Sequence, residues 1–137
     1  MVMRFVKWLF ASPQGPMSPG RVVAWWEARR IVYNVVIGTY GSICLIVFFW
    51  AIVTSGYLEP GEDAIEPMAV FAAAILVNIL YTLGWLVEVP ARIVSPGLPR
   101  WFGPLLLMSG FGLGLLLITI PAAYWLGYRL FQLASIT

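Results

Sequence analysis

The sequence predicts an all-α integral membrane protein, a bundle of three transmembrane helices with a cytoplasmic juxtamembrane helix. Three observations predict it. First, 61% of the 137 residues are apolar and only 10% are charged, against about 25% charged in an ordinary soluble domain. Second, three stretches carry no charge at all: 31–58, 67–87 and 101–128. Each holds the roughly 20 residues that a helix needs to cross a hydrocarbon core about 30 Å thick. Third, the basic residues are segregated. Arg4, Lys7, Arg21, Arg29, Arg30, Arg92 and Arg100 flank one side of these stretches, and only Arg129 the other. Leu, Ile, Val, Ala, Phe and Gly fill the stretches without the alternation of a transmembrane barrel strand.

The elements follow in order. Met1–Phe10 is short, basic and aromatic, but Lys7 interrupts its apolar run, so it is read as a retained N-terminus and not a signal peptide. Residues 12–20 hold three prolines and two glycines and read as a linker or turn. Ser18-Pro19 reads as an N-cap with a first-turn proline, from which 20–32 can run as a helix straight into the first span. Residues 1–32 therefore form the cytoplasmic basic and aromatic segment, and 33–137 the transmembrane domain. The spans lie near 33–54, 67–87 and 104–128. Pro67 and Pro104 sit where a first-turn proline is tolerated. Tyr57, Trp85, Trp101, Tyr124, Trp125 and Tyr128 lie at expected interfaces.

The charge asymmetry places the N-terminus in the cytoplasm and the C-terminus outside. The loop between the first two spans has no Lys or Arg but carries Glu59, Glu62, Asp63 and Glu66. Their spacing is not that of a calcium-binding loop, so they read as a solvated acidic loop.

The segment Trp25-Trp26-Glu27-Ala28-Arg29-Arg30-Ile31-Val32-Tyr33-Asn34 is the most distinctive in the chain. Trp25, Trp26 and Arg29 are expected to anchor the helix at the membrane interface. Glu27, Arg30 and Asn34 share a helical face with Gly38, Gly41 and Ser42. A carboxylate close to lipid needs a partner, so Glu27, Arg30 and Asn34 are expected to join Glu88 and Arg92 in one polar cluster. Pro90 argues that the second helix stops before Glu88 and Arg92 can pair along it. This ten-residue stretch resembles one found in small, uncharacterised bacterial multi-span membrane proteins with Trp-Trp-Glu-x-Arg-Arg-x-x-Tyr-Asn. The resemblance implies a bacterial plasma (inner) membrane protein and no particular activity.

Asn78 stands mid-span in a stripe with Ala74, Thr82 and Trp85, and a carboxamide in hydrocarbon is expected to face another helix. Gly110 and Gly114 form a Gly-x-x-x-Gly pair suited to close helix contact. With Gly38, Gly41, Ser42 and Thr82 they complete the expected helix-packing set. Pro121 is expected to bend the third span. Cys44 reads as a small hydrophobe.

The chain contains no histidine, which removes His-ligated metals, His-ligated haem and His-based triads. Glu27 and Glu88 as a catalytic acid pair find no supporting nucleophile. No catalytic residue, metal or cofactor is assigned, and no nucleic acid is expected as a partner. The reading is a non-catalytic accessory or scaffold subunit of a membrane complex. Its partners would be the lipid bilayer and either other membrane subunits or further copies of the chain. The alternative is an oligomeric small-solute or ion conduit, with Asn78 and Thr82 on its axis.

Overall fold

The structure is a computed structural model that describes residues 2–13 and 17–135. Part of the expected linker, residues 14–16, therefore lies outside the described residues. Four helices follow in order: α1 (Val2–Leu9), α2 (Pro19–Thr54), α3 (Pro67–Val94) and α4 (Phe102–Ala134). No strand occurs among the described residues. The last three helices are long and apolar enough to cross a membrane.

Local chemistry sets the helix starts. The Ser18 side chain accepts from the Arg21 amide at 3.4 Å, and Pro19 occupies the first turn. The juxtamembrane stretch and the first span are one helix. At 36 residues α2 is about 54 Å long, so it overhangs a 30 Å core by several turns. α3 differs from expectation: it does not end near residue 87 but runs through Pro90 to Val94. Pro90 removes one backbone bond, yet the turn around it is bridged by Arg92. Its guanidinium bonds back to Glu88 and forward to the carbonyls of Leu98 and Pro99. α4 likewise continues through Pro121. α1 was not foreseen as a helix, because eight residues are too few for periodicity to show.

α2 and α4 run parallel, and their contacts recur every seven residues. Gly41 faces Ile118, Phe48 meets Trp125 edge-on, and the Ser55 carbonyl accepts from Gln132 at 3.2 Å. Between them the Tyr40 and Thr119 hydroxyls share a 2.7 Å hydrogen bond. The residues that α2 buries from the membrane boundary onward are Tyr33, Ile37, Cys44, Ala51 and Ile52. A seven-residue contact period is that of helices packed in the left-handed sense. Of the expected small contact residues, Gly114 fits closely: an added Cβ would lie 3.1 Å from the Tyr33 hydroxyl and 3.2 Å from Ile37. Gly38 and Gly110 do not. Nothing lies within 4 Å of a Cβ built on either, so neither packs against a neighbouring helix here. Ser42 is exposed and its hydroxyl bonds the Gly38 carbonyl of its own helix.

α3 runs antiparallel to both and is packed only over its second part. Its buried residues are Val77, Tyr81, Glu88 and Arg92. Every residue from 67 to 76 is exposed, so this half is the less covered part of the helix. The tightest approach is at Gly84, where an added Cβ would lie 2.7 and 2.9 Å from two carbons of the Trp26 six-membered ring.

Gly84→Ala is therefore expected to destabilise the fold by about 1–3 kcal/mol, the usual cost of overpacking. Gly110→Ala should leave stability unchanged or raise it slightly. Reversible unfolding in mixed micelles checks both.

Candidate functional site

The polar chemistry gathers at the end of the bundle where α2 begins, α3 ends and α4 begins. At its centre is Glu88, which has no exposed surface. One carboxylate oxygen accepts from Arg92 Nε at 2.7 Å, and the other from the Trp26 indole N–H at 2.7 Å. Arg92 is also buried, and its Nη atoms donate to the carbonyls of Leu98 and Pro99. Gly103, at the start of α4, packs directly against the carboxylate. An added Cβ would lie 2.5 and 2.8 Å from the two Glu88 oxygens. A carboxylate and a guanidinium are thus locked between three helices with both acid oxygens engaged.

Trp26 links this pair to an aromatic column. Its backbone carbonyl accepts from the Tyr81 hydroxyl, and the two rings meet edge-on at 5.3 Å. Tyr81 lies 4.7 Å from Tyr33, which in turn lies 4.9 Å from Phe111 of α4. Tyr33 donates to the Val77 carbonyl at 3.2 Å. Three helices are joined by aromatic contacts whose hydroxyls bond to backbone, so no buried tyrosine oxygen is left unsatisfied.

Arg29 forms a second buried centre, and no acid among the described residues pairs with it. Its three nitrogens donate to the carbonyls of Trp8, Leu9 and Trp25, each at 2.8 Å. The guanidinium lies over the Trp25 ring at 4.0 Å and the Trp8 ring at 4.7 Å. The Trp25 indole donates to the Ala11 carbonyl at 2.8 Å. Trp8 and Leu9 end α1, where the helix dipole is negative, and the Trp8 carbonyl also accepts from the Ala11 amide at 3.2 Å. Arg29 therefore caps α1 and fastens it to α2.

These contacts correct two expectations. Trp25, Trp26 and Arg29 are not interfacial anchors facing lipid. All three are buried, because α1 folds over them and Trp26 occupies the core face of α2. Glu27 and Arg30 do not meet Glu88 and Arg92. Glu27 and Arg30 pair with each other bidentately at 2.7 Å, and Glu88 with Arg92 along α3. The reason is rotational: Trp26 points at α3, so the next residue, Glu27, turns outward. The only direct polar link from Arg30 to α3 is its 3.3 Å bond to the Thr82 hydroxyl, and it also lies 4.9 Å from the Tyr81 ring centre. Asn34 joins neither pair and is exposed.

Asn78 is a third correction. Its amide donates to the Ala74 carbonyl of its own helix at 3.1 Å, and it borders an open groove on the flank of α3. It touches no other helix by hydrogen bond. The intrahelical bond satisfies a donor that was expected to need an interhelical one. Thr82 bonds the Asn78 carbonyl at 2.8 Å while accepting from Arg30.

Among the described residues, no group of three or more His, Cys, Asp or Glu could hold a metal ion. Arg29 capping and the role of Gly84 and Gly103 were missed in the sequence. Only the adjacency of Trp25-Trp26 to Arg29-Arg30 hinted at the first, and an isolated mid-helix glycine at the others. Comparison with protein families, with curated proteins and with solved structures finds no match to this chain.

Removing one member of the buried pair strands the other charge. Glu88→Ala and Arg92→Ala are each expected to cost about 3–5 kcal/mol in unfolding titrations. The double variant should cost clearly less than the sum of the two.

Proposed function

We propose that the protein is a non-catalytic accessory or scaffold subunit of a membrane complex. It would sit in a bacterial plasma membrane with its N-terminus in the cytoplasm and its C-terminus outside. The observation that carries this reading is the uneven packing of α3. Ten consecutive residues, 67–76, are all exposed, while the far end of the same helix is locked by Trp26, Glu88 and Arg92. Opposite that free half, α2 exposes Asn34, Gly38 and Ser42. Small residues permit close helix approach, and a carboxamide facing hydrocarbon gains from a partner. Both features suit a helix from another subunit or from a second copy of the chain.

The competing reading is an oligomeric conduit lined by Asn78 and Thr82. Both side chains bond the backbone of their own helix, which favours packing over a hydrated path. The buried acid Glu88 has both oxygens engaged, which favours a structural role over general acid–base chemistry.

A photo-crosslinking residue at Phe71, on the free half of α3, tests the proposal in native membranes. A discrete protein adduct is expected there, and none from Leu116 on the exposed face of α4. Lipid adducts alone at both positions, together with solute flux in proteoliposomes, would replace this reading by the conduit. The orientation is checked separately: reporter fusions should place the N-terminus inside and the C-terminus outside.

A further inference from the structure

Charges at the basic end are not evenly matched. Glu27 is held by Arg30, and Glu88 by Arg92. The other four acids lie in the loop at the opposite end, between α2 and α3. Arg4 and Lys7 of α1 and Arg100 of the α3–α4 turn are exposed and make no ion pair or hydrogen bond among the described residues. Arg100 adjoins Pro99, whose carbonyl binds Arg92, so it belongs to the same end.

α1 carries more than charge. Arg4 and Lys7 are one turn apart on one flank of the helix, where side chains three positions apart are neighbours. Met3, Phe5, Val6 and Trp8 are 42–74% exposed, so its apolar side chains are only partly covered by the protein. Phe5 and Trp8 stack on each other at 6.0 Å. A helix with cations on one flank and exposed aromatic and aliphatic groups beside them suits the plane of a membrane interface.

The depth of α1 agrees. Its last carbonyls are held by Arg29, and Phe10 just beyond it meets Phe111 of α4. Arg29 and Arg30 are the last charges of α2 before the uncharged stretch that begins at Ile31. The end of α1 is therefore fixed beside the last charges of α2 that precede its uncharged stretch.

We propose that α1 is a clamped interfacial helix that binds anionic phospholipid, with Arg4 and Lys7 on the headgroup phosphate and Phe5 and Trp8 among the upper acyl carbons. The Arg29 cap holds the helix in place before lipid arrives, which lowers the ordering cost of binding. The clamp uses backbone carbonyls of Trp8 and Leu9, so the two lipid-facing cations are free of structural duty.

The test uses the full chain, delipidated in neutral detergent, with native mass spectrometry reading bound lipid. Phosphatidylglycerol should bind the wild type more tightly than phosphatidylcholine of the same chains. The variant Arg4→Gln/Lys7→Gln should lose about 25-fold in phosphatidylglycerol affinity, since each cation near an anionic surface contributes roughly fivefold. Arg4→Lys/Lys7→Arg should retain it. Amide exchange in α1 of the Gln variant should match the wild type, which separates lost binding from lost folding. Equal affinity for the two lipids in the wild type overturns the proposal and needs no variant. So does undiminished phosphatidylglycerol binding by a folded Gln variant, or displacement of the lipid by millimolar inorganic phosphate.

Discussion

A carboxylate with no exposed surface must find its counter-charge within hydrogen-bonding distance, and in this protein that requirement organises one whole end of the bundle. Glu88 takes a guanidinium from one turn along its own helix and an indole N–H from α2. Satisfying it places Trp26 against α3, and the indole fits only because residue 84 has no side chain. The same demand brings the start of α4 up to the acid, where Gly103 leaves room for its oxygens. Arg92 then ties the helix end to the α3–α4 turn. Removing the acid would therefore loosen contacts on all three long helices. In a low dielectric each unpaired member of such a group is penalised heavily, which is why the group is complete.

Arg29 solves the complementary problem without an acid. A buried guanidinium needs acceptors for its N–H groups, and three carbonyls supply them. Two come from the last turn of α1, at the negative end of its dipole. Two indole faces complete the shell. The consequence is that the acids of this end are spoken for by other cations, and the remaining basic residues keep their charge outward. Inward satisfaction and outward charge arise from one distribution of residues.

The three long apolar helices were legible in the sequence, because uncharged length and flanking charge are strong signals in lipid, whereas α1 was not. Which faces meet was not. In stretches where nearly every residue is apolar, burial leaves no hydropathy period, so the seven-residue rhythm of Gly41, Phe48 and Ser55 against Ile118, Trp125 and Gln132 is invisible without coordinates. Glycines misled for the same reason. Gly110 and Gly114 look alike in sequence, yet only Gly114 faces a neighbour. Trp25 and Trp26 suggested lipid anchors because tryptophan favours interfaces, but the α1 segment covers Trp25 and α3 covers Trp26. Glu27 and Glu88 were correctly seen to need partners. The partner of Glu88 was misassigned because Pro90 was given the power to end a helix that Arg92 in fact holds together, and that of Glu27 because Trp26, not Glu27, takes the face of α2 toward α3.

The two ends of α3 consequently differ in what it costs to move them. At the Glu88 end, displacement would break an ion pair, an indole bond and a packed aromatic column at once. At the Pro67 end no residue from 67 to 76 is buried, so leaning the helix would disturb far less packing. Opening free energies within one protein range from near zero to the global value, and segments that receive partners come from the low end of that range. The chain therefore has a rigid foot and a free upper flank on the same helix. A partner helix could settle beside residues 67–76 without dismantling the core, and its arrival would register at Glu88 only through the rigid rod that joins them.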